Sequence, residues 1–253
     1  RLFDSETGFI RPRDAQGKFI ADFDPKKAWH GFQEGNAFQY TFYVPHDPAA
    51  LIRKVGADQF NERLQTTFER AEKAKFGGGE TIDAFAGVES PYNHGNQPSL
   101  HIAWLFNYSG RPWLTQHWVR RICDVFYGTE PVHGYGYGQD EDQGQLGAWF
   151  VLAAIGLFDV QGGAARQPTM QLATPLFEEV SIRLNRKYYP GDKFELQVKG
   201  QTGDAPYIQS ASLNGIAWDR CWLPWTNIIG GGRLALTVGT EPNRNWASQA
   251  PPP

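Results

Sequence analysis

The sequence predicts a mainly α-helical fold, an α/α bundle or toroid, closed by a small antiparallel β region. Three observations carry this expectation. Apolar residues recur at helical spacing through the first 165 residues, and short Gly/Pro-rich connections separate those runs. After Pro168 the pattern changes to short, β-branched, alternating segments punctuated by Pro190-Gly191, Asn214-Gly215 and Gly230-Gly231-Gly232. The division expected is 1–165 for the helical part and 166–253 for the closing strands.

The elements follow in order. Residues 48–56 and 58–76 place Leu51, Ile52 and Val55, then Phe60, Leu64 and Phe68, on one helical face each. Asp58 is the expected N-cap of the second helix, and Gly77-Gly78-Gly79 its stop. Pro98 opens a third helix, 98–108, with Gly110 behind it, and Pro112 a fourth, 112–127. Residues 145–155 are apolar nearly all round and end at Gly156, which predicts a helix buried among others. Strands are expected at 180–184, 194–199, 207–213 and 234–238. Asn214-Gly215 sets a hairpin between Ser212-Leu213 and Ile216-Ala217, and Ala250 to Pro253 is a tail.

Composition narrows the partners. With 24 Lys plus Arg against 27 Asp plus Glu, the net charge is −3, which supplies no basic field for nucleic acid. No run of 18 apolar residues predicts a membrane span. Aromatics make up 14% of the chain, which suits both a large core and the flat stacking surfaces of sugar sites. Cys123 and Cys221 lack a metal or redox spacing, leaving one disulfide or two buried thiols. The first residue is Arg1 and Met170 is the only methionine, from which a processed or truncated chain is expected.

Chemistry is expected in the long loops 29–47, 81–96 and 129–142. Asp140, Glu141 and Asp142 stand together where a loop enters the fifth helix. Either they are a cap plus solvated acids, or an ionised carboxylate there acts as general base. Glu34 lies among aromatic residues, where partial desolvation would raise its pKa toward that of a general acid; the plainer reading is a surface glutamate. Tyr92 to His101 is rich in side-chain oxygens suited to Ca²⁺, or is an ordinary helix start. The sequence has no zinc spacing, Walker loop or Gly-x-Ser-x-Gly elbow.

Taken together, seven blocks are more specific: Glu34-Gly-Asn-Ala-Phe-Gln-Tyr40, Val44-Pro-His-Asp47, His94-Gly-Asn-Gln-Pro-Ser99, Asn107-Tyr-Ser-Gly-Arg-Pro-Trp113, Asp140-Glu-Asp-Gln-Gly-Gln145, Tyr207 to Gly215 and Glu241-Pro-Asn243 with Trp246. In order and approximate spacing this series resembles glycoside hydrolase family 92, the calcium-dependent exo-α-mannosidases. The resemblance covers nearly the whole chain.

It implies an inverting glycosidase that releases terminal α-linked mannose from glycans. Glu34 falls on the general acid and Asp140 and Asp142 on the base. Asn36, Gln39, His94 and Trp29 fall on sugar-binding positions, and Asn96, Gln97 and Asp142 near the Ca²⁺. The chain resembles the C-terminal part of the (α/α)₆ catalytic domain. The missing N-terminal half is therefore expected as a separate chain or a removed one, because a half-toroid would expose apolar helix faces. Secretion or a periplasmic location is implied as well.

Two departures stand out. Gln97 replaces the Glu of most relatives, which removes a negative charge near the metal. If that position holds the proton donor, a mannosyl phosphodiester becomes the expected substrate, since phosphate leaves as an anion. Residues 81–89 lack the His-Glu pair associated with α-1,2 linkages, so linkage stays open. An inactive carbohydrate-binding fragment is the remaining alternative.

Overall fold

The computed structural model describes residues 1–78, 85–128, 144–200, 203 and 205–253. They form two compact units. One comprises Arg1–Ile102 and Arg121–Ala148; the other comprises Ala103–Arg120 and Trp149–Pro253.

The first unit opens with a two-stranded antiparallel hairpin, β1 (Phe3–Asp4) and β2 (Phe9–Ile10), in which Phe3 faces Ile10. Arg63 fastens it to the helices. Its guanidinium donates to the carbonyls of Gly8 and Thr7 and lies 4.3 Å from the centre of the Phe9 ring. A short helix, α1 (Ala37–Thr41), then appears inside what the sequence presents as a loop. Five residues are too few to show a helical period.

Helix α2 (Pro48–Val55) is capped by Asp47, whose carboxylate accepts from the amide of Ala50 at 2.9 Å, with Pro48 in the first turn. Helix α3 (Ala57–Glu72) buries Phe60, Leu64, Thr67, Phe68 and Ala71, the face that the periodicity predicts. The expectation for Asp58 is corrected: Gly56 is the N-cap, without a side-chain bond, and Asp58 sits in the first turn. Gly56 ends α2 and starts α3 at φ +89°, so it leaves no room for a separate cap. After α3 the chain tightens into a 3₁₀ turn at Lys75–Gly77. There Phe76 (φ +55°) joins Phe68 and Tyr92 in a buried aromatic cluster, with ring centres 4.6–6.5 Å apart.

The helix expected over 98–108 is also corrected. It is two 3₁₀ segments, Gln97–Ser99 and Ile102–Asn107. Every residue from 101 to 108 is buried, so no amphipathic face selects α-helical spacing. The carbonyl of Ala103 is taken by the hydroxyl of Thr115 at 3.1 Å. Helices α4 (Pro112–Val125) and α5 (Gln145–Ala154) match expectation closely in extent. Burial of α5 does not. Leu146, Trp149, Ala153 and Ala154 are buried, whereas Val151 is 58% exposed and Gly147 and Ala148 also face solvent.

The second unit carries the two larger sheets. A three-stranded antiparallel sheet runs β3 (Leu157–Phe158), β4 (Thr169–Leu172) and β9 (Trp222–Pro224). A five-stranded sheet has the order β5 (Glu179–Arg183), β6 (Lys193–Lys199), β10 (Gly232–Gly239), β7 (Tyr207–Leu213), β8 (Ile216–Ala217). The β7–β8 hairpin turns at Asn214 (φ +52°) and Gly215 (φ +83°), as the Asn-Gly pair predicts.

One pair departs from a purely antiparallel region: β10 runs parallel to β6, with Leu234 beside Leu196. A parallel pair needs a crossover, and the chain through β7, β8, β9 and α6 (Trp225–Ile229) supplies it. Phe194, Leu196, Val198, Ile208, Leu213, Leu234, Leu236 and Val238 alternate into the core between these strands. Burying each such side chain contributes about 1.5–3 kcal/mol. Cys123 and Cys221 are both buried thiols, and neither forms a disulfide among the described residues. Ala250, in the expected tail, is tied by its carbonyl to the indole N–H of Trp222 at 3.1 Å.

Candidate active site

Glu34 occupies a tight surface loop. Its φ of +53° and that of Trp29, +62°, are left-handed values that cost a non-glycine residue about 1–2 kcal/mol each. Four contacts hold the loop in that state. The amide of Trp29 donates to the carbonyl of Gly35 at 3.1 Å, closing the loop on itself. The Tyr40 hydroxyl donates to the carbonyl of Gln33 at 2.5 Å. The Asn96 amide donates to the carbonyl of Glu34 itself at 2.8 Å. Asn36, buried beneath, caps α1 by accepting from the amide of Gln39. Gly35 lets these side chains come close: a Cβ there would lie 2.5 Å from Oε1 of Gln39 and 3.1 Å from the Tyr40 ring, so both would have to shift. The Glu34 side chain is exposed. Among the described residues its aromatic neighbours therefore leave it open to solvent.

Asn36 and Gln39 bind a second loop. Nδ2 of Asn36 donates to the carbonyls of Val88 (3.0 Å) and Ser90 (2.9 Å), and Nε2 of Gln39 donates to those of Ser90 (2.7 Å) and Gly87 (3.1 Å). Both side chains are buried, so their donors serve the 85–91 loop where the sequence reading places a sugar. Buried backbone carbonyls need such partners. The same amides thus staple the Glu34 loop to the 85–91 loop. On the outer side Trp29 and Phe85 meet edge to face at 5.5 Å, each about half exposed (48% and 55%). Beside them a cavity of about 450 Å³ is lined by Ala74, Phe85, Val88, Glu89, Ser90 and Pro91.

His94 also departs from expectation. It is fully buried, and both ring nitrogens meet tyrosines: Nδ1 lies 2.7 Å from the Tyr92 hydroxyl and Nε2 2.9 Å from that of Tyr127. The Tyr127 hydroxyl donates to the carbonyl of Leu146 at 2.8 Å, so it accepts from Nε2–H, and Nδ1 accepts from Tyr92. Burial pushes the imidazole down to about 3, which keeps it neutral. His94 thus links Tyr92 to the segments on either side of residues 129–143 and presents no nitrogen to a sugar.

Asn96 is 8% exposed and Gln97 half-buried at the start of its 3₁₀ turn. With Nδ2 of Asn96 bound to the Glu34 carbonyl, its Oδ1 has no protein partner among the described residues, and an amide oxygen of that kind suits a hard cation such as Ca²⁺. Asp140 and Asp142 lie outside the described residues. Among the described ones, no group of three or more His, Cys, Asp or Glu could hold a metal ion. The structure brings together Glu34, Asn36, Gln39, Asn96 and Trp29. The sequence reading missed the Tyr40 hydroxyl and the Phe85 to Ser90 wall. Tyr40 closes the Glu34 block and so was in view, but nothing in spacing reveals that its hydroxyl returns to Gln33.

The sequence model of the glycosyl hydrolase family 92 catalytic domain matches residues 1–240. A curated relative, an uncharacterized secreted glycosidase of Arthroderma benhamiae, is 27% identical over 220 residues, covering 85% of this chain and 24% of that protein. Among solved structures, the family GH92 alpha-mannosidase BT3965 of Bacteroides thetaiotaomicron superposes with a TM-score of 0.82 at 30% identity, covering 100% of this chain and 31% of that one. That enzyme is also known in complex with mannoimidazole, with a TM-score of 0.81 at 28% identity over 100% of this chain and 33% of that one. The inverting mannosidase BT2199 of Bacteroides thetaiotaomicron VPI-5482 gives 0.80 at 30% identity, covering 98% and 33%. The chain thus spans about a quarter to a third of the length of these relatives. With the family model matched over nearly its whole length, the chain belongs to glycoside hydrolase family 92.

Proposed function

We propose that this chain supplies both the general acid, Glu34, and the general base, Asp140 or Asp142, of an inverting, Ca²⁺-assisted α-mannosidase that releases terminal α-linked mannose from glycans. The observation that carries this reading is Glu34: an exposed carboxyl group on a backbone fixed from both sides, next to a half-exposed aromatic pair that can face a sugar ring. The names of the solved relatives, an alpha-mannosidase that binds mannoimidazole and an inverting mannosidase, support it.

In this mechanism Glu34 gives its proton to the glycosidic oxygen as the bond to the anomeric carbon breaks. Asp140 or Asp142 takes a proton from water, whose oxygen attacks the opposite face of that carbon. Inversion calls for the two carboxyl groups to stand about 6.5–9.5 Å apart with the water between. Asn96 and Gln97, with Asp142, would hold the Ca²⁺. When bound, the ion supplies Lewis-acid polarisation and a template for the sugar hydroxyls. Asn36 and Gln39 hold the 85–91 loop in place, and Trp29 with Phe85 offers the stacking face.

The division into 1–165 and 166–253 as parts of one catalytic region belongs to the same proposal. So does completion of the site by the rest of the family's catalytic region. Export, secreted or periplasmic, is supported by the curated relative's description as a secreted glycosidase. No helix among the described residues is long and apolar enough to cross a membrane.

The test is mannose release from α-mannosides in Ca²⁺, with proton NMR following the anomer first formed. β-Mannose as the first product supports the reading, and α-mannose first excludes inversion. Sugar binding without any mannose release would make the chain a carbohydrate-binding fragment.

A further inference from the structure

We infer that Tyr40 and Asn96 are positioning residues that hold Glu34 in its left-handed conformation, and that this conformation is what presents the carboxyl group to a glycosidic oxygen. The inference rests on the mannosidase reading and adds to it a device that sets the acid.

The geometry is specific to residue 34. Two side chains from different segments grip consecutive carbonyls: the Tyr40 hydroxyl takes that of Gln33 and the Asn96 amide that of Glu34. Between these two grips the chain passes through φ +53°. A glutamate chooses that region only under restraint, because its Cβ crowds the following carbonyl. The missing Cβ of Gly35 makes the space into which Gln39 and Tyr40 fit. Tyr40 itself is braced by Phe32 at 5.5 Å and Tyr43 at 6.2 Å between ring centres.

The phenol also feels the acid. Burial first, and then the charges of Glu34 and Tyr43, raise the pKa of Tyr40, so it stays a proton donor over any working pH. Its hydrogen goes to the Gln33 carbonyl, which leaves the Glu34 carboxyl group free to act on substrate. Neither Tyr40 nor Asn96 has to touch the sugar for this role. Both act on the backbone at the acid.

The test uses the catalytically competent protein that contains this chain and compares two substrates. A mannoside with a sugar leaving group needs the acid; 2,4-dinitrophenyl α-mannoside does not, because dinitrophenolate leaves unprotonated. Tyr40→Phe should lower kcat for the sugar leaving group about 10- to 100-fold, since a small misplacement of a general acid costs that much. KM and the dinitrophenyl rate should change little, and the melting temperature should show that the variant is folded.

An equal loss on both substrates overturns the proposal, because it would mark a merely structural role, and so does no loss on either. Glu34→Gln is the reference. If it fails to separate the two substrates, the assignment of the acid falls and the positioning role falls with it. If it separates them and Tyr40→Phe does not, only the positioning role falls.

Discussion

In the five-stranded sheet, side chains supply the burial while backbone groups pair with backbone groups of the neighbouring strand. Around Glu34 the relation is reversed. There the side-chain amides of Asn36, Gln39 and Asn96 take backbone carbonyls from segments about 50 to 60 residues away, and Glu34's own side chain is left facing out. The sheet can lose one contact and keep its register, because each strand is fixed along its whole length. The loop has a handful of contacts, each at one atom. A region of the first kind is a scaffold; the second kind stores a strained turn that a few bonds hold in place.

That contrast can be broken most directly at Glu34. Glu34→Gln should reduce mannose release from α-mannosides by about 10²- to 10⁴-fold without unfolding the chain, because an exposed side chain supports no packing. Turnover at the wild-type level, measured by free mannose, would remove Glu34 from its role.

In the sheet the opposite result is expected. Phe194 is fully buried on β6, so Phe194→Ala should cost about 3–5 kcal/mol in denaturant unfolding. A cost near zero would mean that this sheet does not stabilise through its core.

Acid should find the loop-bearing unit next. His94 is held down at about 3 by burial, and His101 at about 4, again by burial, with its bond to the Phe42 carbonyl acting the other way. Both folded-state values lie below the unfolded value near 6.5, so the unfolded chain binds more protons below that pH. Stability from these two groups is fully present above pH 6.5. It falls as the pH drops toward 4 and then 3, by about 1.4 kcal/mol per pH unit for each histidine. Denaturant midpoints measured from pH 7 to 4 check this, and His94→Gln should flatten the slope.

The smallest effect sharpens the contrast. Asn36→Ala removes the α1 cap and two carbonyl partners, at about 1–3 kcal/mol, and should free the 85–91 loop. Hydrogen exchange should rise there while the strands of the five-stranded sheet stay protected; a uniform rise would contradict a local staple.

The parts legible in the sequence were those with a repeating local signal. The face of α3, the alternation on β6 and β10 and the Asn214-Gly215 hairpin follow from periodicity or from one residue's φ preference. Misreadings cluster where burial is complete or the partner is remote. The 3₁₀ segments at 97–107 show no period because all sides of 101–108 are buried. His94 looked available to a sugar because nothing in its neighbourhood shows that Tyr127 closes over Nε2.

The Glu34-Gly-Asn block pointed to the site but not to how its members divide the work. Asn36 and Gln39 are polar, adjacent to Glu34 and turned inward, and only tertiary structure separates an amide that staples a loop from one left open to a ligand.

By itself the sequence determined the helical first part, the strand-rich second part and the candidate acid. Each is encoded within a few consecutive residues, by spacing, by turn chemistry or by a short block such as Glu34 to Tyr40. Tertiary structure alone decided the left-handed state of Glu34, the neutral His94 and the parallel entry of β10 beside β6. The reason is physical. A strained turn, a shifted pKa and a strand order are all set by groups tens of residues away in the chain, and folding alone brings those groups within bonding distance.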